Sequence, residues 1–328
     1  MTTLAIIGAG QHSQAHHGPA IAALRERISR VSICDLRPEA AMAYAGKFGL
    51  NACYSNVNEM MNSERPDAVI SITPEGVTAS MTRQLMKYQV PLLVEKPFGI
   101  DAAESEALTK EAAACNARIM VSFNRRFSPV CKRIANLLST RFADRPPISF
   151  RSSMLRHQRF DDDFLSVTAI HAIDMLNSLA GPVLKVSAVS SGINADTRHS
   201  TVNINLNYES GAIGSLLIAT SCGQVAEQYE VIGPDYRIEA DYFRGLTVWD
   251  GGEIVDVFEL SPYSTLPEKE GAIAELNYFL DNLDSGKPFI PGPQDGLRAA
   301  VISSLIIRDI SPKTAKNIKT TSKELSYV

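Results

Sequence analysis

The chain has 328 residues, which suits two domains of ordinary size, and its 45% hydrophobic and 21% charged residues give a normal balance for a folded protein. The formal net charge is −4, from 32 basic and 36 acidic residues, so no basic face is expected for nucleic acid. No apolar run reaches the roughly 20 residues of a membrane helix, and Met1-Thr2-Thr3 runs into Leu4-Ala5-Ile6-Ile7 without the basic segment of a signal peptide. Five cysteines (Cys34, Cys53, Cys115, Cys131 and Cys222) are scattered, with no C-x-x-C, and read as free thiols in a reducing cytoplasm.

The first third alternates short apolar runs with helical patterns. Residues 4–7, 31–34, 68–72, 92–94 and 119–123 are predicted strands, nearly unbroken in apolar character, as strands covered on both faces are. Between them residues 14–28, 38–48, 77–88 and 102–115 are predicted helices. Pro38 suits a first turn, and Asp101 with Glu104 reads as a capping box. This alternation implies right-handed crossovers and a doubly wound parallel sheet, a dinucleotide-binding (Rossmann) domain over residues 1–123.

The rhythm changes over residues 124–328. A helix is predicted at 129–138, a strand at 148–155 after Pro146-Pro147, and a helix at 168–179 stopped by Gly181-Pro182. Strands follow at 183–189, 202–208, 213–219, 228–232, 237–240, 246–249 and 254–258. Glu209-Ser210-Gly211 and Asp250-Gly251-Gly252 are hairpin-type turns. Two late helices are expected at 269–284 and 294–307, and the polar segment 311–328 is expected to be loose. The second unit is therefore an α+β domain built on a large, mostly antiparallel open sheet.

Gly8-Ala9-Gly10-Gln11-His12-Ser13 follows the first strand and opens a helix, where the dinucleotide fingerprint asks for G-x-G-x-x-G. Ser13 replaces the third glycine. It is small, and the amides at the helix start still offer donors and a positive dipole end to a pyrophosphate. Asp35 ends the second strand, where a carboxylate accepts from the adenosine ribose hydroxyls and favours NAD. Arg37 has two readings, a ligand for the 2′-phosphate of NADP or a solvated loop charge. His12, His16 and His17 have no matching carboxylate or cysteine set in the sequence, so no metal is expected.

The run Leu92-Leu93-Val94 ends in Glu95-Lys96-Pro97 and delivers Lys96 to the crevice at the strands' carboxyl ends. The sequence resembles the Gfo/Idh/MocA oxidoreductases, the glucose–fructose oxidoreductase and inositol dehydrogenase type. The matching residues are Gly8-Ala9-Gly10, Thr73-Pro74, Glu95-Lys96-Pro97, Asn124-Arg125-Arg126-Phe127, His171-Ala172-Ile173-Asp174 and Asp295-Gly296-Leu297-Arg298-Ala299. The resemblance implies an NAD(P)-dependent oxidoreductase of a sugar, polyol or related small hydroxy compound, forming a homodimer or homotetramer. It implies that Lys96 and His171 manage the reacting oxygen and its proton, and that Asp174 binds substrate hydroxyls or orients the imidazole. It adds Thr73, Pro74, Glu95 and Arg126 to Gly8, Gly10, Gln11, His12, Ser13, Asp35 and Arg37 as cofactor-side residues. A cis Lys96–Pro97 bond is expected to set the lysine's direction.

Three departures stand out. Ser13 replaces a glycine, Glu75 and Thr78 replace the common Asn and His after Thr73-Pro74, and Val167 stands where inositol dehydrogenases carry Asp four residues before the histidine. Asp161-Asp162-Asp163 reads as a solvated loop or as a rim for sugar hydroxyls. Arg151, Arg156, His157 and Arg159 cannot all face one pocket, because strand parity separates them, but one or two can hold a substrate carboxylate or phosphate. Two other readings remain: a non-catalytic NAD(P)-sensing regulatory protein on the same fold, and hydride chemistry that serves elimination or epimerisation with the cofactor recycled.

Overall fold

The computed structural model describes residues 2–161, 163–191 and 200–310, so Asp162 and the polar segment 311–328 lie outside the described residues. Strands β1 (Thr2–Ile7), β2 (Ile28–Cys34), β3 (Ala52–Tyr54), β4 (Ala68–Ser71), β5 (Leu92–Glu95) and β6 (Ile119–Ser122) form one sheet in the order β3-β2-β1-β4-β5-β6. Every pairing in it is parallel. β4, β5 and β6 are buried at every position, which is why they read as unbroken apolar runs. Helices α1 (Gly18–Ala23), α2 (Pro38–Phe48), α3 (Val57–Glu64), α4 (Glu75–Met86) and α5 (Ala102–Ala114) cover its faces. The order reverses between β1 and β4, and the ligand crevice of such a sheet lies there.

Several expectations are corrected. The helix predicted over 14–28 is a π-helical turn (Ser13–His17), then α1, then a 3₁₀ turn (Arg25–Arg27), with residue 28 already in β2. Its first turn is anchored sideways, because buried Ser13 Oγ donates to the hydroxyl of Tyr44 at 3.0 Å. β3 and α3 have no counterpart in the sequence reading. β3 is three residues long, and α3 is a short, polar helix held by Asn56, which accepts from the Glu59 amide. Asp101 caps α5 through the Glu104 amide, but the Glu104 carboxylate turns back to the Ile100 amide, one residue before the box position.

The second sheet contains β7 (Ser149–Leu155), β8 (Val183–Ser190), β9 (Thr201–Tyr208), β10 (Ile213–Ala219), β11 (Ala226–Gly233), β12 (Tyr236–Asp241), β13 (Gly245–Asp250) and β14 (Glu253–Glu259). Its order is β14-β13-β12-β11-β7-β10-β9-β8. Only β7–β10 pairs in parallel. The strict alternation of buried and exposed residues along β9 is that of a sheet covered on one face. The covering helices are α6 (Pro129–Ser139), α7 (Phe164–Val167) and α8 (Ile170–Ala180). The helix expected over 168–179 is α8, which starts two residues later, at Ile170. Thr168 and Ala169 separate α7 from α8, and His171 falls in the first turn of α8.

The late region holds α9 (Leu266–Lys269), α10 (Ala272–Asp281) and α11 (Pro293–Ile310). The helix expected over 269–284 breaks at Gly271. Its φ is +86°, and a Cβ there would lie 2.4 Å from the Asn124 carbonyl, so only glycine fits. α10 returns to the first sheet, packing Ala272, Leu276 and Phe279 among residues of β1, β2 and α2. α11 bridges both cores, with Ala299 in the first and Ile302 and Ile306 in the second.

One buried ionic cluster ties the halves together. A 3₁₀ turn at Asn124–Phe127 leaves β6, and from it Arg125 donates to both oxygens of Glu227 on β11, at 2.7 and 3.1 Å. Arg156 adds a bond at 2.7 Å and Tyr229 another at 2.7 Å. Burial opposes ionisation of Glu227, but the two guanidiniums outweigh it and bring its pKa down to about 2. Removing the carboxylate strands two buried cations, so Glu227→Ala should cost about 3–5 kcal/mol in chemical denaturation at neutral pH. The folded pKa lies below the unfolded 4.5, so this advantage is complete above pH 4.5 and is lost as pH falls toward about 2. Denaturation midpoints of wild type and Glu227→Gln should therefore converge as the medium is acidified below pH 4.5.

Candidate active site

The glycine-rich loop joins β1 to the π-helical turn. Gly8 has φ +102°, and a Cβ there would lie 2.0 Å from the Ile72 carbonyl oxygen, so a side chain would break the β1–β4 junction. At Gly10 a Cβ meets nothing within 4 Å. Packing does not demand glycine there, and a ligand pressed to the backbone would supply a reason. Gln11 is exposed at the tip. Asp35 Oδ2 accepts the Ala9 amide at 2.9 Å, while Oδ1 accepts the Arg37 amide at 3.0 Å and Arg37 Nε at 3.2 Å. Partial burial opposes the charge of Asp35, but these donors outweigh it and hold the carboxyl below the usual range. Across the crevice Thr73 and Pro74 lead into α4, where buried Thr78 bonds Thr73 and the Pro74 carbonyl and so ties the turn. A glycine loop open at Gly10, an ionised carboxylate at the end of β2 and the amides at the start of the following turn fit a dinucleotide.

Lys96 stands directly past β5, and the Lys96–Pro97 peptide is cis. Its Nζ donates to the carbonyl of Val167 at 3.0 Å. Val167 therefore meets the lysine through its backbone rather than its side chain. His171 is 7% exposed, and its ring stands edge-on to Phe123 with centroids 6.2 Å apart. Its Nδ1 is buried with no hydrogen-bond partner. Burial, then the nearby Arg125 and Lys96 cations, hold its pKa well below the ordinary histidine value. Burial likewise lowers that of Lys96. The imidazole is thus neutral at neutral pH, beside a primary amine.

The crevice rim adds Asp163, which burial and the neighbouring Glu75 push up, so two carboxyls face each other from the two domains. Asp161 pairs with Arg159, whose guanidinium also reaches Thr168 Oγ1 at 3.0 Å. The rest of the basic cluster is engaged elsewhere. Arg151 pairs with Glu230 on the outer face of the second sheet, Arg156 joins Glu227, and His157 lies near the Cys222 carbonyl. The expectation of a cluster holding a substrate anion fails for Arg151 and Arg156.

Two further expectations are corrected. Asp174 does not orient His171: both its oxygens accept from Arg126, at 2.6 and 2.8 Å. Arg126 in turn does not face the cofactor loop, since Asp174 and Asp295 occupy it, the latter at 2.9 Å. This clamp joins the turn after β6 to α8 and α11. The reading of His12, His16 and His17 also changes, because Glu95 supplies the carboxylate that the sequence spacing lacks. Its Oε1 lies 3.1 Å from His12 Nε2 and 2.7 Å from His17 Nε2, while His16 lies 3.0 Å from Glu270. Burial lowers the pKa of His17. The Glu95 carboxyl is fully buried, which opposes its charge, but the two imidazoles outweigh that and hold it well below the usual range. No sequence signal reveals this cluster, because residues 83 apart must meet.

Comparison with known proteins agrees with this geometry. Residues 2–123 match the family model described as oxidoreductase family, NAD-binding Rossmann fold, and residues 136–239 match the GFO/IDH/MocA C-terminal domain. Inositol 2-dehydrogenase of Rhizobium meliloti (strain 1021) is 24% identical over 339 residues, covering 94% of this chain and 96% of the relative. Among solved structures, a dehydrogenase from Chromobacterium violaceum superposes with a TM-score of 0.85 at 18% identity, over 94% of this chain and 95% of the other. Levoglucosan dehydrogenase in complex with NADH superposes with a TM-score of 0.82 at 21% identity, over 94% and 96%. With both of its domain models matched in order along one chain, and with the glycine loop, Lys96 and His171 arranged around a single crevice, this protein belongs to the Gfo/Idh/MocA oxidoreductase family.

Proposed function

We propose that the chain is an NAD(P)-dependent dehydrogenase or reductase acting on a hydroxyl or keto carbon of a sugar, polyol or related small hydroxy compound. The observation that carries this reading is the approach of Lys96, from the end of β5, to the Val167 carbonyl directly before the His171 helix. It sets an ammonium and a neutral imidazole from opposite domains at the same crevice. The inositol and levoglucosan dehydrogenases named above favour hydroxyl-rich ligands, and the rim of Glu75, Asp161 and Asp163 offers acceptors for such hydroxyls.

The dinucleotide, when bound, supplies the acceptor or donor of the hydride. Gly8, Gly10 and the amides of the following turn hold its phosphates, and Asp35 accepts from its ribose hydroxyls. Neutral His171 takes the proton from the substrate hydroxyl during oxidation and returns it during reduction. Lys96 steadies the negative charge that grows on that oxygen, and its partial burial strengthens the effect by excluding water. Without an aspartate at 167 the proton passes no further along a side-chain relay than His171. The carboxylate of Asp35, which also pairs with Arg37 at 3.2 Å, favours NAD.

A homodimer or homotetramer through the outer face of the second sheet suits the exposed Val189, Ile213, Leu217 and Val257 there. A reducing cytoplasm suits the five free cysteines. Among the described residues no helix is long and apolar enough to cross a membrane.

Lys96→Met should lower kcat by about 10²–10³ with nucleotide affinity largely kept, read by NADH absorbance and by fluorescence titration. Wild-type protein that binds the dinucleotide yet turns over no sugar, uronic acid or inositol would instead favour the sensor. The folded His171 pKa lies well below 6.5, and the base must be neutral to work. The oxidation rate, as kcat/KM, should stay level through neutrality and past the ordinary histidine range, and fall only at pH well below 6.5, and His171→Gln should remove that limb. Asp35→Ala should weaken NAD by about tenfold, the worth of one charge-assisted hydrogen bond, and NADP by less; equal losses in titration would refute the preference.

A further inference from the structure

We propose that His12, His17 and Glu95 form a binding site for one divalent transition-metal ion, of the zinc or cobalt kind, between the glycine-rich loop and the end of β5. One nitrogen from each imidazole and one carboxylate oxygen converge, and the three ligand atoms all lie within 4.8 Å of one another. Both His Nε2 atoms point at the same Oε1, at 3.1 and 2.7 Å. Neighbouring ligands on a tetrahedral ion with bonds of about 2.1 Å stand about 3.4 Å apart, so small movements open the cluster around an ion.

The first turn of the helix makes the convergence possible. In an α-helix, residues 12 and 17 would be turned about 140° from each other. The segment Ser13–His17 is π-helical, and its wider turn brings i and i+5 onto one face, as π-turns at functional sites do. His12, Glu95 and His17 differ in access. The last two are 5% and 4% exposed, whereas the His12 side chain is 47% exposed, which gives an ion an entry path from the crevice. The donors suit the ion as well. Two imidazoles and a carboxylate select zinc, cobalt or ferrous iron, while magnesium prefers an all-oxygen set.

A second buried carboxyl stands one strand away. Ser122 is in register with Glu95 across the β5–β6 pair and donates to Glu275 Oε2 at 2.9 Å. Glu275 is 1% exposed, and its Oε1 has no partner. The Glu95 carboxylate and the two imidazole nitrogens that converge on it suit a cation rather than an anion there. An ion at this place would tie the nucleotide loop to the strand that carries Lys96, without standing in for either in the chemistry.

The test uses untagged full-length protein freed of metal by chelation, with Co²⁺ as the probe. One Co²⁺ per chain should bind, with the visible absorption of a nitrogen–oxygen site and no sulfur band. Zn²⁺ should displace it and Mg²⁺ should not. His12→Ala and Glu95→Gln should each weaken binding by about 10–100-fold, while His157→Ala should leave it unchanged. His12 is half-exposed, so its variant folds even if loss of Glu95 or His17 does not. Anomalous diffraction at the zinc edge locates the ion. Absence of a stoichiometric ion, unchanged affinity in His12→Ala, or an ion found away from Glu95 each overturns the proposal. None of these readouts depends on turnover, so failure here leaves the dehydrogenase reading standing.

Discussion

The four residues that leave β6, Asn124 to Phe127, carry the contacts on which the geometry of the crevice depends. Arg125 reaches Glu227 on the second sheet, Arg126 reaches Asp174 on α8 and Asp295 on α11, and the Asn124 amide donates to the Glu270 carbonyl. Every partner belongs to a different part of the second half of the chain. Buried ion pairs of this kind contribute little to net stability, because desolvation offsets most of the attraction. Their geometric demand is strict, however, since a guanidinium that loses its carboxylate is left charged and dry. The turn therefore fixes where α8 sits relative to β5, and His171 and Lys96 ride on those two elements.

The electrostatics of the crevice follow from that seam. Arg125 lies close enough to depress the pKa of His171, as does Lys96. A histidine held neutral by burial and by two cations accepts a proton readily and does not compete with Lys96 for the negative oxygen. Asp174, which shares a helix face with His171, acts on it only by anchoring α8 through Arg126. The two carboxylate clusters position these elements, and the amine and imidazole are the groups proposed to meet the substrate.

Much of this was legible in the sequence. Buried parallel strands leave unbroken apolar runs, so β4, β5 and β6 showed themselves, and the alternation along β9 marked a sheet covered on one side. Glycine at position 8, aspartate at 35 and lysine at 96 follow from local rules about turns, strand ends and crevices. β3 and α3 were not legible, because three residues carry no periodicity and a short polar helix has no apolar stripe. The four-residue α7 is likewise too short to show a period, and the helix read from 168 is α8, starting at Ile170.

The residue sequence by itself determined the parallel first sheet, the antiparallel character of the second, and which residues stand at the carboxyl ends of the first sheet's strands, because each depends on neighbours within a few positions. Tertiary structure alone decided the partners. Arg126 could have faced a cofactor or a carboxylate, and Asp174 an imidazole or an arginine, and pattern cannot choose between them. His12 and His17 meet Glu95 only because a π-turn rotates them onto one face and a strand 78 residues further along ends beside them. Charges find one another across the fold through burial and Coulomb attraction, which depend on distance in space and are blind to separation along the chain.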